Sequence, residues 1–387
     1  MTVVESRSTG WIMSLSRRSF LGTLGAASAM AVASPLPLLS LPEPQHGQRS
    51  ANFEKLVLLD SNENAYGMLP SALNSATAAV AHGNRYPEPW LFVEQVATYN
   101  KVKNEQVLHG YGSSENIAMV IAEFTGPSRK LITASPTYEV PGSLAKSLGA
   151  QVVTVPLTAS YAHDLDGMLA RVGNDTGVVY ICNPNNPTAT ITPRRDIEAF
   201  LAKLPKNTYL MIDEAYHHFV NSPDYVSFLE KSVDDPRVIV LRTFSKVYGM
   251  AGMRLGYSVQ APELTKRMKR RQLTLDGNAV ALAAGSASLN DDDGMHATAA
   301  RIIADREAFM KEAEQRKLKV ILSQANFIMV ETGRPVREMI NHFRGKQISI
   351  GRPFPPMEQF IRVSLGRPNE MDQFWQAWDQ LPAMAKQ

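Results

Sequence analysis

The sequence predicts an α/β protein in which a large domain, with a mostly parallel sheet sandwiched by helices, precedes a smaller α+β domain. Between about residues 66 and 275, short apolar runs alternate with amphipathic stretches, which is typical of βα units. Beyond about residue 275, a long helical stretch is followed by short strands and helices. The length of 387 residues also favours two domains, and a hydrophobic content of 44% excludes global disorder.

The individual elements follow from run length and periodicity. Residues 177–182, 209–212 and 238–241 are short, uncharged and contain many residues that favour strands, so they are predicted to be buried parallel strands. Helices are predicted for the amphipathic stretches 116–124, 142–148, 164–171 and 193–201. In the smaller domain we expect helices near 295–316, 335–344 and 369–381 and strands near 318–322, 326–331, 347–350 and 359–365.

The N-terminus has the three parts of an export signal. Arg17 and Arg18 form a basic head, a mildly apolar middle follows, and an Ala-x-Ala end closes residues 1–33, which are typical of a twin-arginine signal peptide. We therefore expect recognition by the twin-arginine export machinery and a periplasmic location. An uncleaved membrane anchor and a start at Met13 are the alternatives. Residues 34–65 are predicted to be a linker and N-terminal arm, 66–275 the large cofactor-binding domain and 276–387 the small C-terminal domain.

Charge and cysteine content exclude several kinds of protein. The formal net charge is +3 and falls to +1 without residues 1–33, so there is no electrostatic case for nucleic-acid binding. Cys182 is the only cysteine, which excludes an intramolecular disulfide, and we interpret it as a buried spacer. No metal-ligand spacing is found, and the nearest candidate is the pair His217 and His218.

Polar residues follow three of the predicted strands directly. Asn186 lies just beyond the first of them, Asp213 follows the second, and Lys246 lies beyond the third. In open α/β sheets ligands bind at the carboxyl ends of the strands, so we expect these side chains to share a site. A lysine amine can hold an aldehyde as a Schiff base while neighbouring hydroxyls and an arginine bind a phosphate, and this combination suggests pyridoxal phosphate.

From about residue 56 to 381 the chain resembles the histidinol-phosphate aminotransferase branch of the fold type I pyridoxal-phosphate aminotransferases. Each matching motif is weak alone, but eight occur in the family's order. They are Leu-Asp-Ser-Asn-Glu-Asn at 59–64, Arg-Tyr-Pro-Glu-Pro at 85–89, Gly-Ser-Ser-Glu at 112–115, Pro-Thr-Tyr at 136–138, Asn-Pro-Asn-Asn-Pro-Thr at 183–188, Asp-Glu-Ala-Tyr at 213–216, the lysine motif at 243–254 and Arg-Val-Ser-Leu-Gly at 362–366.

The resemblance implies a role for each site residue. Lys246 would hold the cofactor and move a proton, Asp213 would pair with the pyridine nitrogen, and Asn186 and Tyr216 would bind the phenolic oxygen. Tyr138 would stack on the ring. The phosphate would be bound by Ser113, Ser114, Thr243, Ser245 and Arg254, with Tyr86 reaching it from the other subunit of a homodimer. Substrate would be bound by Asn64, Arg352 and Arg362.

The leading interpretation is an aminotransferase that moves an amino group from an amino acid or related amine to a 2-oxo acid in two half-reactions. A decarboxylase or an oxygen-using oxidase on the same scaffold is the alternative, and a binding protein without catalysis is a third. Ala65, Ala189 and Ser114 depart from the residues usual in the family. Because several departures lie on the substrate side, we expect a different amine substrate.

Overall fold

The computed structural model describes residues 56–272 and 277–382. Its centre is a seven-stranded sheet in the order β2-β8-β7-β6-β5-β3-β4. The strands are β2 Val107–Gly110, β3 Lys130–Ser135, β4 Val152–Pro156, β5 Thr176–Cys182, β6 Tyr209–Asp213, β7 Val238–Thr243 and β8 Gly256–Gln260. Only β8 runs against its neighbours, so the prediction of a mostly parallel sheet is confirmed.

Helices cover both faces of this sheet, because its strands are apolar on both sides. Along β5, Tyr180 packs into one apolar cluster and Val179 and Ile181 pack into the other. This alternation is what a parallel strand buried on both faces requires. The helices of this part of the chain are α1 Pro70–Val80, α2 Pro89–Asn100, α3 Ser113–Phe124, α4 Val140–Ser147, α5 Leu165–Leu169, α6 Arg194–Lys203, α7 Leu229–Asp234 and α8 Pro262–Lys269.

The remaining elements form two small sheets with their helices. β10 Phe327–Glu331 lies between β12 Phe360–Ser364 and β9 Lys319–Val320 in an antiparallel sheet, while β1 Val57–Leu59 pairs in parallel with β11 Ile348–Ile350. The helices are α9 Ala279–Leu289, α10 Asp292–Gln315, α11 Val336–Gly345 and α12 Pro368–Asp379. These bounds agree closely with the expected elements, except that β9 is shorter.

The domain boundary at 275/276 stays a prediction. α9, which follows it, packs against α1, and Ser75 Oγ donates a hydrogen bond of 3.0 Å to the carbonyl of Ala283. The predicted signal peptide and most of the linker lie outside the described residues. Among the residues that the structure does describe, no helix has the length and apolar character needed to cross a membrane.

Candidate active site

A cavity of about 680 Å³ opens at the carboxyl ends of β5, β6 and β7. Cys182 and Asp213 are register partners at the ends of their strands, and Asp213 is paired in turn with Leu241 of β7. The sheet therefore brings the predicted residues to one edge, as expected. The predicted residues lining the cavity are Ser113, Ser114, Tyr138, Asn186, Asp213, Tyr216, Thr243, Ser245, Lys246, Arg254, Arg352 and Arg362.

Lys246 lies in the loop after β7, with its amine inside the cavity. Its Nζ donates to the carbonyl oxygen of Asn62 at 3.0 Å and lies 5.6 Å from the centre of the Tyr216 ring. Burial, together with the nearby charge of Arg362, lowers the pKa of Lys246 to about 8. A larger share of the amine is thus unprotonated near neutral pH than for an ordinary lysine, and only that form attacks a carbonyl or accepts a proton.

Asp213 presents a buried carboxylate to the same cavity. Tyr180 donates its hydroxyl to Oδ2 at 3.0 Å, and the backbone amide of Ala215 donates to Oδ1 at 3.1 Å. Burial raises the pKa of Asp213 to about 6, although both hydrogen bonds oppose the rise. The carboxylate is therefore mostly ionised at neutral pH and is suited to pair with a protonated ring nitrogen.

A buried ion pair supports the strand end that carries Asp213. Glu214 and Arg242 lie 2.7 Å apart, with their side chains only 1% and 8% exposed. Glu214 also accepts the backbone amide of Phe228 at 2.7 Å. Because the charged groups are paired and hydrogen-bonded, the turn after β6 is held in place without an uncompensated charge.

A second part of the cavity lining can bind an anion, because it combines hydroxyls, the amides of a helix start and the cation of Arg254. Arg254 has a left-handed φ of 57° and its Nη1 lies 3.4 Å from Ser245 Oγ, while Thr243 Oγ1 donates to the same oxygen at 2.9 Å. A Cβ at Gly112 would collide with the Arg254 guanidinium. Only a glycine at this position therefore lets the guanidinium reach the first turn of α3, which begins at Ser113. Unpaired amides at a helix start and a cation both favour an anion.

The residues predicted to bind the phenolic oxygen and the tyrosine predicted to stack on the ring also line the cavity. Asn186 Oδ1 accepts from Arg362 Nη1 at 2.7 Å, so the asparagine amide hydrogens are left for another acceptor. Tyr216 accepts a hydrogen bond of 3.1 Å from Asn62. Burial raises the pKa of Tyr138, which lines the cavity wall, so its hydroxyl stays protonated. A carboxylate, an amine and an anion site arranged in this way fit pyridoxal phosphate.

Arg362 and Arg352 differ in their surroundings. Arg362 is 7% exposed, burial lowers its pKa to about 10, and no carboxylate in the described ranges 56–272 and 277–382 forms an ion pair with it. Arg352 lies at the opening, where it forms an ion pair with Glu139; the two side chains are 51% and 55% exposed. Their guanidinium carbons lie 4.3 Å (Arg352) and 4.7 Å (Arg362) from the centre of the Phe354 ring.

Two predicted residues do not line the cavity. Asn64 is buried outside the cavity lining. Its Nδ2 donates to the carbonyl of Val247 at 2.8 Å, and its Oδ1 accepts a hydrogen bond from the backbone amide of Tyr66. Tyr86 is 80% exposed on the surface. The substrate role of Asn64 and the phosphate role of Tyr86 stay predictions.

Sequence reasoning missed several residues of this site. Asn62, Glu139 and Arg344 line the cavity, and Tyr180 donates to Asp213 from within β5. Tyr180 could have been found, since it lies two residues before Cys182 and therefore on the same face of the strand. Asn62 belonged to a recognised motif, but nothing in the motif distinguished it from Asn64.

Comparison with known proteins places the chain in a family. The model for "Aminotransferase class I and II" matches residues 54–377. An aromatic amino acid aminotransferase of Cutibacterium acnes is 33% identical over 341 residues, covering 87% of this chain and 96% of the relative. A histidinol-phosphate aminotransferase of Symbiobacterium thermophilum is 32% identical over 335 residues, covering 85% and 91%. The crystal structure of histidinol-phosphate aminotransferase from Sinorhizobium meliloti in complex with pyridoxal-5'-phosphate superposes with a TM-score of 0.78 at 26% identity, covering 89% and 96%.

The chain belongs to the class I and II aminotransferase family. Its fold is that of the fold type I pyridoxal-phosphate transferases. With its cavity and its aminotransferase relatives, it is an aminotransferase that uses pyridoxal phosphate as its cofactor.

The chain's own groups supply binding and proton transfer. When bound, pyridoxal phosphate supplies an aldehyde that exchanges amino groups and a ring that stabilises a carbanion. Lys246 Nζ would take the proton from the substrate α-carbon, which its lowered pKa permits near neutral pH. Asp213 would hold a negative charge against the ring nitrogen, and Arg254 with the start of α3 would bind the phosphate.

Proposed function

We propose that the enzyme transfers amino groups between α-amino acids and 2-oxo acids, with Arg362 binding the carboxylate that both share. The observation that carries this proposal is the buried guanidinium of Arg362, whose Nε has no hydrogen-bond partner in the part of the chain that the structure describes. A buried cation of this kind is stable when an anion pairs with it. A carboxylate one carbon from the reacting centre would provide that anion in either half-reaction.

The side chain of the substrate would extend toward the opening, where Arg352 and Glu139 provide opposite charges. An aromatic side chain could pack near Phe354, and an acidic one could displace Glu139 from Arg352. The relatives include an aromatic amino acid aminotransferase and a histidinol-phosphate aminotransferase. Histidinol phosphate carries a phosphate ester where an amino acid carries its carboxylate, so the two named substrates share an anion near the reacting centre but not its chemistry. The different substrates named for these relatives support the proposal that the cofactor site does not determine which amino donor is used.

Half-reactions test the proposal. The purified, cofactor-loaded protein is mixed with single amino acids, histidinol phosphate or polyamines, and the visible absorbance is followed. Amino acids should convert the cofactor, and Arg362→Leu should raise KM for both amino acid and 2-oxo acid. A loaded protein that is inert to every amino acid, or that acts equally well on polyamines, contradicts the proposal. Release of carbon dioxide or peroxide would favour the decarboxylase or oxidase alternative.

A homodimer is the second part of the proposal, with Tyr86 completing the phosphate site of its partner. Tyr86 is accompanied by large exposed apolar side chains on α1 and α2 that a second copy would cover. These are Leu73, Val80, Trp90 and Leu91.

Mixing two impaired variants tests the shared site. Lys246→Ala and Tyr86→Phe subunits, unfolded and refolded together, should form mixed dimers with one intact site. Random pairing leaves about a quarter of all sites intact, so the activity should exceed the mean of the separate variants by up to about a quarter of the wild-type activity. Activity equal to that mean would show that Tyr86 does not act across an interface.

Export by the twin-arginine route to the periplasm is the third part. It is supported by Arg17 and Arg18 before a weakly apolar stretch. The variant Arg17→Lys/Arg18→Lys should stay in the cytoplasm, while Arg7→Lys should be exported, as cell fractionation would show. Equal export of both variants would argue against this route.

A further inference from the structure

Asn62 connects two residues of the active site although it is far from them in sequence. It is 1% exposed and has a left-handed φ of 54°, a conformation that asparagine and glycine adopt more easily than other residues. Its carbonyl accepts from Lys246 Nζ at 3.0 Å and from Asn326 Nδ2 at 3.1 Å. Its side chain lies between Ser364 and Tyr216.

The hydrogen bonds fix which way the Asn62 amide points. The backbone amide of Asn62 donates to Ser364 Oγ at 2.8 Å, so that hydroxyl is free to donate its own hydrogen to Asn62 Oδ1 at 3.1 Å. With Oδ1 used in this way, Nδ2 is the atom that faces Tyr216, and it donates to the tyrosine oxygen at 3.1 Å. An amide nitrogen cannot accept a hydrogen bond.

The tyrosine hydroxyl is therefore an acceptor toward Asn62 and must donate elsewhere. It carries one hydrogen, and the cavity is the remaining direction in which Tyr216 is exposed. Burial raises the pKa of Tyr216, so the hydrogen is retained at physiological pH. Asn186 is arranged in a similar way, because Arg362 uses its Oδ1.

We propose that Asn62 is a positioning residue that turns the Tyr216 hydroxyl into a hydrogen-bond donor toward the phenolic oxygen of bound pyridoxal phosphate. This inference rests on the predicted contact between Tyr216 and that oxygen. Without Asn62 the hydroxyl is free to rotate, and the oxygen of the cofactor loses part of its stabilisation. A more negative oxygen holds a proton next to it to higher pH, so the pH midpoint of the cofactor's visible absorbance rises.

The test uses Asn62→Gly, Tyr216→Phe and the double variant. Glycine tolerates the left-handed φ, so the backbone is not strained while the amide is lost. Asn62→Gly should raise the absorbance midpoint and weaken cofactor binding to the apo-protein by about three- to tenfold, the effect of one hydrogen bond. In the Tyr216→Phe background, Asn62→Gly should change neither the midpoint nor cofactor binding further, because no tyrosine hydroxyl is left for Asn62 to orient. Asn62→Asp, whose carboxylate only accepts, should raise the midpoint at least as much.

Tyr66→Phe is the matched control. It removes the 2.6 Å hydrogen bond to Asp305 from the same segment without touching Tyr216, and should leave the midpoint unchanged. A wild-type midpoint in Asn62→Gly, or effects of the two single variants that add in full, would overturn the proposal. If Tyr216→Phe itself leaves the midpoint unchanged, the proposal also fails, and the failure lies in the contact between Tyr216 and the cofactor. The aminotransferase assignment is tested separately, by the half-reactions of the wild type.

Discussion

The two ends of the active-site cavity are built differently. The inner end, comprising Asn186, Asp213, Tyr216, Lys246 and Arg254, consists of groups that are hydrogen-bonded by other parts of the chain. The mouth, comprising Glu139, Arg344 and Arg352, is exposed to solvent, and its ion pair is of a kind that contributes little. The inner end is therefore preorganised for one cofactor, whereas the mouth can accommodate substrates that differ in charge.

Removing the amine at the inner end should have the largest effect. Lys246→Ala should lower transamination by on the order of 10⁴-fold or more, because Lys246 is the only lysine that lines the cavity among the described residues. Steady-state kinetics and the visible spectrum check this. Circular dichroism confirms folding, and retained activity would contradict the assigned role.

Neutralising the buried carboxylate should have the next largest effect. Asp213→Asn keeps the shape and lets Oδ1 still accept from the amide of Ala215, whereas its Nδ2 can only donate toward the Tyr180 hydroxyl. It removes the charge that stabilises a protonated ring nitrogen. We expect kcat to fall by on the order of 10²- to 10³-fold. Asp175→Asn, on the surface, is the control. A kcat within a factor of about two of wild type would show that this charge is not used.

The low pKa of Lys246 predicts a pH-dependent stability of the apo-protein. The folded state disfavours the protonated amine, so the penalty is fully present below about pH 8 and is lost as the pH rises toward the ordinary value of 10.5. Apo Lys246→Met should therefore be more stable than wild type at pH 7, by up to about 3 kcal/mol. Denaturant titrations across this range measure the difference.

The advantage of Lys246→Met should shrink above pH 8 and vanish near pH 10.5. Lys206→Met, on the surface, is the control for losing any lysine and should give no such trend. A stability difference that is constant with pH would show that the Lys246 amine is not destabilised by burial.

Changes at the mouth should be the smallest and the most selective. Glu139→Gln frees Arg352, so KM for acidic donors should fall by about two- to fivefold, while aromatic donors and kcat change little. Glu338→Gln breaks another exposed ion pair, with Arg334, and serves as the control. An equal change in KM for acidic and neutral donors would mean that Glu139 does not act through charge.

The inner end was largely predictable from sequence, whereas the mouth was not. Asn186, Asp213 and Lys246 each follow a recognisable buried strand, and parallel strands bring their ends together whatever the loops do. Glu139 carries no such signal, because its partner is decided by the position of the loop that carries Arg352.

Contacts over long sequence separations explain the other differences. Asn62 acquires its role from a local left-handed turn and from Ser364, 302 residues away. Asn64, two positions on, points to Val247 instead. In the fold, the helix expected near 295–316 is found at Asp292–Gln315, because its apolar periodicity continues over many turns. Strand β9, in contrast, is reduced to Lys319–Val320, where its pairing with β10 ends.

Gly249 and Gly67 show how closely the lysine loop and the N-terminal segment are joined. Gly249 has a φ of 67°, and a Cβ on it would overlap the carbonyl group of Gly67, so two backbones meet there with no side chain between them. Replacement of Gly249 by even alanine would push apart the segments that carry Asn62 and Lys246. Engineering of substrate range should therefore be directed at residues outside this contact between Gly249 and Gly67, because the two backbones leave no room for a side chain at Gly249.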